Sequence, residues 1–391
     1  MAEPARCIVG SVGSVGVIGI GAMGAPMARH LHRSGCAPCV RDVDPAATAA
    51  ALADGLEACD SAAALASVCD VVLVVVVDAA QIEAVLFDEG GVVQAARAPG
   101  APRQTVVLCS TIAAADTERF HARLQRAGID CIDAPISGGP ARAGNGTLSM
   151  MVAAEPVVFA RCETLLRVLA ASLHRVGERI GDAARIKLVN NLLAGIHLAA
   201  GAQAMALGAR LGLDRRLLFE VIRASSGASW MLEDRMPRVL ANDYAPRART
   251  AILTKDVGLA MAMAQEAGVP LPMGEQALRV LQDAVAAGLG DADDAAVIDR
   301  ARWRSAESPH LHHAGVRAMA TAKKSSTGPR ELIKPHEGDA RYQRRDADGK
   351  FGDADKVSRS QAADKATKAK STAPRGQGDK GDHKPAAKKS K

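Results

Sequence analysis

Apolar and polar positions follow two alternating rhythms along the first 180 residues. Short continuous apolar runs at Val15 to Ile18, Ala37 to Arg41, Val71 to Val77, Thr105 to Cys109 and Ile129 to Asp133 read as strands. Runs of this kind suit strands buried on both faces of a parallel sheet. Stretches with helical spacing lie between them, such as Ala25 to Leu31 and Ala113 to Ala127. The alternation predicts an α/β fold with a doubly wound sheet that closes near Gly177. Another apolar run follows at Leu148 to Val152, and Gly181 to Arg210 then forms one helical stretch without internal proline. It stops at Gly212, and Asp214 is placed to cap the next helix. At ~1.5 Å per residue that stretch spans about 40 Å, enough for a spine joining two domains.

The first run leads into Gly19-Ile-Gly21-Ala-Met23-Gly24 and then into the Ala25 helix, which makes strand, glycine loop and helix in succession. Gly19 allows the tight turn, Gly21 lets backbone amides approach a pyrophosphate, and Gly24 permits close packing of helix on strand. A glycine pattern alone says little. Here the second strand ends at Asp42, about 20 residues on, where a carboxylate accepts from both ribose hydroxyls of a dinucleotide. Asp42 favours NAD over NADP. Two alternatives stand beside it: Asp42 opens the Asp42-Val-Asp44-Pro45 turn, and Arg41 is placed to meet a 2′-phosphate.

Composition adds three things. With 391 residues, the chain exceeds what one core organises. Aromatics are only 2%, so the core must be aliphatic. Charge divides the chain: residues 310 to 391 carry 20 Lys and Arg against 10 Asp and Glu, and only six Val, Ile, Leu or Phe. A segment so poor in apolar residues predicts a disordered basic tail. Lysine usage is sharper still, because residues 1 to 309 hold 27 Arg but only two Lys, Lys187 and Lys255. Lysine can give up its proton in a protein, whereas arginine cannot, so both lysines are candidates for chemistry.

Lys187 falls in the first turns of the long helix, with Asn191 four residues on along the same face. Upstream, Asp133-Ala-Pro-Ile-Ser137-Gly138-Gly139 follows a strand end, where ligand crevices form in such sheets. Ser137 and the two glycines offer a hydroxyl and open amides suited to a carboxylate, although Ser-Gly-Gly-Pro is equally ordinary turn chemistry.

Together the glycine loop, the Asp133 to Gly139 segment, Lys187-Leu-Val-Asn-Asn191 and Lys255-Asp256 resemble, in order, the four signature segments of the β-hydroxyacid dehydrogenase family. The likeness spans residues 14 to 302. It implies a Rossmann domain over 1–177, an all-helical substrate and dimerisation domain over 178–305, and oxidation of a small hydroxy acid by NAD or, less expected, NADP. Carried over by position, it assigns Ser137, Gly138 and Gly139 to the substrate carboxylate, Lys187 to acid/base catalysis and Asn191 to substrate orientation. Lys255 would lie beside both substrate and nicotinamide, and Met23 and Thr111 join Gly19, Gly21, Gly24 and Asp42 in the cofactor set. Homo-dimers or homo-tetramers are implied as well. The segments Gly195-Ile-His197, Ser229 to Met236, Asn242 to Arg247 and Asp294 to Ile298 look most like the L-threonate dehydrogenase branch. The Asn190-Asn191 form is shared with 3-hydroxyisobutyrate dehydrogenases and tartronate semialdehyde reductases.

Other readings are weaker. A non-catalytic nucleotide sensor would not need Lys187 and Asn191 at catalytic spacing, and an imine reductase should replace the lysine. Nucleic-acid binding by the basic tail (306–391) is disfavoured by ten acidic residues from 310 onward and by just Tyr342 and Phe351 for stacking. The eight scattered cysteines predict neither a disulfide framework nor a metal site. No uncharged apolar stretch is expected to reach the ~18 residues of a membrane span, and the N-terminus lacks a leader pattern, so a cytoplasmic location is expected. His197 reads as a structural helix residue, and Trp230 as core or subunit interface.

Overall fold

The computed structural model describes residues 13–299 and, further on, 330–336, 339–344 and 355–356. Its first part is α/β. β1 (Val15–Ile18), α1 (Gly24–Arg33), β2 (Cys39–Arg41), α2 (Pro45–Ala53), β3 (Glu57–Ala58) and α3 (Ala62–Val68) come first. β4 (Val71–Val74), α4 (Ala79–Phe87), β5 (Thr105–Leu108), α5 (Ala114–Arg126) and β6 (Asp130–Asp133) complete the nucleotide-type unit. β7 (Ile136–Ser137), α6 (Gly139–Gly144), β8 (Leu148–Ala153), α7 (Pro156–Leu169) and β9 (Ala170–Gly177) extend it. Strand order runs β3-β2-β1-β4-β5-β6-β8-β7, with β9 beside β8. The β3-to-β6 portion is parallel throughout and follows the 3-2-1-4-5-6 order of dinucleotide-binding sheets, while β8 joins β6 antiparallel.

β1, β4 and β5 are buried at every position, as their unbroken apolar runs require. One layer of aliphatic side chains, with Met27, Leu31 and Leu148, covers one face, and another, with Leu65, Ile82 and Phe120, covers the other. The run expected to extend to Val77 stops as a strand at Val74. The reason lies in its neighbour: β1 turns away at Gly19 (φ +87°), so β4 has no partner to pair with beyond Val75.

The second part is helical: α8 (Asp182–Arg210), α9 (Arg215–Arg223), α10 (Trp230–Leu240), α11 (Thr250–Glu266) and α12 (Pro272–Ala284). Asp214 caps α9 as expected, accepting from the Leu217 amide at 2.7 Å. α8 is the spine, packing against α9 to α12 on one side and against β8 on the other. At Gly195 a Cβ would lie 2.6 Å from Val257 Cγ2 of α11, so only glycine lets the two helices approach this closely.

Two expectations need correction, and a third falls mostly outside the described residues. Residues 188–209 contain no Asp, Glu, Lys or Arg, and an 18-residue window of α8 reaches a mean hydropathy of 1.5. By length and composition this helix could cross a membrane, contrary to the sequence reading; 39% of that window is buried, packed within the domain around it. Cys36 is disulfide-bonded, whereas the other six described cysteines are free. Most of the tail expected to be disordered lies outside the described residues. Within it stands a separate antiparallel sheet of β10 (Arg330–His336), β11 (Asp339–Arg344) and β12 (Asp355–Lys356), with Leu332 in register with Tyr342. β10 holds Leu332 and Ile333, two of the six apolar residues counted in the tail.

Candidate active site

The glycine loop has the geometry its sequence demands. A Cβ at Gly19 would sit 2.5 Å from the Val75 carbonyl oxygen and one at Gly24 would sit 1.9 Å from that of Gly19, so neither position tolerates a side chain. At Gly21 a Cβ would meet nothing within 4 Å, so the outer side of the loop is open. Met23, at the N-cap of α1, provides no side-chain cap. Uncapped amides at a helix start attract phosphate oxygens.

Asp42 opens the turn, as one of its two readings expected. Its Oδ1 accepts from Asp44 N at 2.9 Å, making the turn, and its Oδ2 accepts from Ile20 N at 2.7 Å, which holds the carboxylate against the glycine loop. Arg41 points its guanidinium onto the carbonyl of Asp42. Open space at Gly21, uncapped amides and a fixed carboxylate at the end of β2 fit a dinucleotide.

Lys187 is 6% exposed and Asn191 8%, both on the face of α8 turned toward α11. Asp256 of α11 is 4% exposed, and its Oδ2 accepts from Asn191 Nδ2 at 2.7 Å. Its Oδ1 is 2.7 Å from Lys255 Nζ, which also donates to the Thr111 carbonyl oxygen at 2.6 Å. Thr111 is in the loop after β5, so this bond crosses from the helical part to the sheet. Asp256 therefore joins Asn191 to Lys255, Lys255 reaches Thr111, and Lys187 lies within electrostatic range of Asp256 and Lys255. Burial lowers the Lys187 amine to about 8; Asp256 pulls it up and Lys255 pushes it down.

Asp133 has a different part. Its Oδ2 accepts from the Gly181 and Ala184 amides at 2.9 and 3.1 Å, fastening the first turn of α8 to the end of β6. Burial pushes this carboxyl up to about 6, with the helix amides acting in opposition. The lysine is thereby held at a fixed height over the sheet. Its partner amides are 48 and 51 residues away in sequence, so no local pattern announces this role.

Ser137 ends β7, followed by Gly138 (φ +130°) and Gly139 (φ +75°). The Ser137 hydroxyl has no hydrogen-bond partner among the described residues, and no contact there joins it to Lys187. Of the two places expected for Trp230, the core is excluded: it is 50% exposed, its ring 5.9 Å from the Arg142 guanidinium and 5.6 Å from that of Arg235. Two segments that looked like branch signatures are structural partners, since Arg235 grips Asp294 at 2.5 and 3.0 Å and Arg238 grips Asp293. His197 is half-buried and outside the cluster. A cleft of about 430 Å³ lined by Glu118, His121, Asp130, Glu155, Glu178 and Arg179 contains none of the residues named for the chemistry.

A glycine loop shaped for a dinucleotide and a buried lysine with a lowered pKa suit a nicotinamide-dependent oxidoreductase, and comparison with known proteins agrees. Residues 14–177 match the NAD binding domain of 6-phosphogluconate dehydrogenase. Residues 181–301 match the NAD-binding domain of NADP-dependent 3-hydroxyisobutyrate dehydrogenase. L-Threonate dehydrogenase of Escherichia coli (strain K12) is 39% identical over 239 residues, 61% of this chain and 78% of that protein. 2-(Hydroxymethyl)glutarate dehydrogenase of Eubacterium barkeri is 36% identical over 275 residues, 70% of this chain and 89% of that protein. The crystal structure of a 3-hydroxyisobutyrate dehydrogenase from Salmonella typhimurium covers 73% of this chain and 99% of its own at a TM-score of 0.68 and 38% identity. The chain belongs to the β-hydroxyacid dehydrogenase family and is an NAD(P)-dependent hydroxyacid dehydrogenase.

Proposed function

We propose that this enzyme oxidises a four-carbon sugar acid of the L-threonate type with NAD. The observation that carries the chemistry is the amine of Lys187, buried in the Asn191–Asp256 cluster and lowered to about 8. Oxidation of an alcohol removes a hydride from the carbinol carbon and a proton from its hydroxyl. The neutral Lys187 amine takes that proton as the carbon–oxygen double bond forms, a contribution of ~10²–10⁴ in rate for a well-placed base. Asn191 donates to the reacting oxygen and fixes its distance from Lys187. Ser137, Gly138 and Gly139 receive the substrate carboxylate, and Lys255 lies between substrate and cofactor. When bound along Gly19, Gly21, Met23 and Gly24, with Thr111 alongside, nicotinamide supplies the hydride acceptor.

NAD is favoured because the Asp42 carboxylate, held by Ile20 N, repels a 2′-phosphate, while Arg41 is turned onto a carbonyl rather than into that space. The substrate rests on the L-threonate dehydrogenases at 39–40% identity. 3-Hydroxyisobutyrate oxidation or tartronate semialdehyde reduction is the second reading, supported by the 38%-identical 3-hydroxyisobutyrate dehydrogenase structure. A second copy of this chain covers the exposed apolar stripe of α8, giving a homo-dimer or homo-tetramer.

The test is a reduction assay with NAD and NADP over C3 and C4 hydroxy acids. The expected result is highest kcat/KM with L-threonate and NAD. Preference for 3-hydroxyisobutyrate would replace the substrate, and turnover with NADP alone would overturn the argument from Asp42.

A further inference from the structure

The cluster holds two amines and one carboxylate, and the three are not equivalent. Lys255 Nζ is 2.7 Å from Asp256 Oδ1 and donates to the Thr111 carbonyl at 2.6 Å, so it faces two acceptors as an ammonium should. Lys187 makes no hydrogen bond or ion pair to any described residue, yet it is as deeply buried as its neighbours. If both amines were protonated, two positive charges would face one carboxylate, with Lys187 almost wholly out of water and Lys255 partly in it. Release of the Lys187 proton removes that imbalance, whereas release from Lys255 would break an ion pair. No other carboxylate competes: Asp133 of β6 is engaged by the α8 amides, and Glu118 of α5 pairs with Arg185 at 2.7 Å.

The same carboxylate orients the amide. A carboxylate only accepts, so the side of Asn191 facing Asp256 must be its nitrogen. Its oxygen accepts from Asn190 Nδ2 at 3.0 Å, which fixes the flip from the other side. One N–H of Asn191 then remains to meet a substrate oxygen.

We infer that Asp256 is a positioning residue that sorts the two lysines, holding Lys255 as a standing cation and Asn191 in one orientation, so that Lys187 is the amine that exchanges protons. This rests on the acid/base reading of Lys187 and adds what makes that lysine, rather than Lys255, the exchanging one. The charges that bear on Lys187 are Asp256 and Lys255, with opposite signs.

Two variants of the full chain test it, Asp256→Asn and Lys255→Met, each assayed as kcat/KM against pH in the direction of alcohol oxidation, with NADH binding followed by fluorescence. Asp256→Asn deletes the charge that favours protonated Lys187, so the acid limb should move down by about one pH unit, the smaller end of what one nearby charge does. kcat should fall as well. Lys255→Met leaves the carboxylate unpaired beside Lys187, so the limb should move up. Opposite shifts with NADH binding retained are the expected result. Unmoved limbs in both variants, with activity uniformly lower, would mean that Asp256 only supports the fold and would overturn the inference. If Asp256→Asn loses NADH binding through misfolding, Lys255→Met decides alone: an upward limb supports the inference and an unmoved one overturns it. Normal turnover by Lys187→Arg would instead sink the acid/base reading, which separates the two failures.

Discussion

Desolvation lowers the Lys187 amine, and a pH dependence follows from the role proposed for it. With the neutral amine as the proposed base for the alcohol proton, kcat/KM for oxidation should rise with pH and level off above about 8. Lys187→Arg keeps the charge but cannot release the proton, and it should lose ~10²–10⁴ of kcat while binding NADH normally, as checked by steady-state kinetics and fluorescence titration. Both lysines were legible in the sequence because a body with 27 Arg and two Lys marks them. Asp256 stood next to one of them and carried no such mark, since residues 1 to 309 contain 33 acidic side chains. What distinguishes it is burial against Asn191, a contact 65 residues apart that exists only once α8 and α11 are packed.

That packing turns on Gly195, four residues beyond Asn191 and opposite Val257, the neighbour of Asp256. Gly195→Ala would place a Cβ 2.6 Å from Val257 Cγ2, so α11 must move away from α8. The expected cost is about 1–3 kcal/mol of stability from overpacking, seen as a lower melting temperature. Because the shift stretches the Asn191–Asp256 bond, kcat should fall while NADH affinity holds. At this scale the sequence was legible wherever one rhythm dominated: β1, β5, α5, β8 and α8 lie within a residue or two of their expected places. It failed where pairing decides. β4 ends when β1 turns away, and β9, exposed at half of its positions, carries no apolar run to announce it. The segments Ser229 to Met236 and Asp294 to Ile298, which resemble the L-threonate dehydrogenase branch, are joined by the Arg235–Asp294 ion pair, a contact 59 residues apart that no local pattern shows.

Across the whole molecule, the spine helix presents two unlike faces. Lys187 and Asn191 look inward, while Ile186, Val189, Leu193 and Leu207, at three- and four-residue spacing or whole turns apart, are 42–61% exposed. A stripe of this kind on an otherwise charged surface marks an interface. Leu193→Lys combined with Leu207→Lys should convert the proposed homo-oligomer to monomer in sedimentation velocity; a wild-type chain that already sediments as a monomer would refute that assembly.

The contact from Lys255 to the Thr111 carbonyl acts as a latch between the two halves of the body. Separating the two halves at this point would cost a charge-assisted bond worth ~1.5–3 kcal/mol. If small acids enter and leave by such a separation, a variant lacking the Lys255 ammonium should trade grip for faster exchange, read as a higher product-release rate in stopped flow.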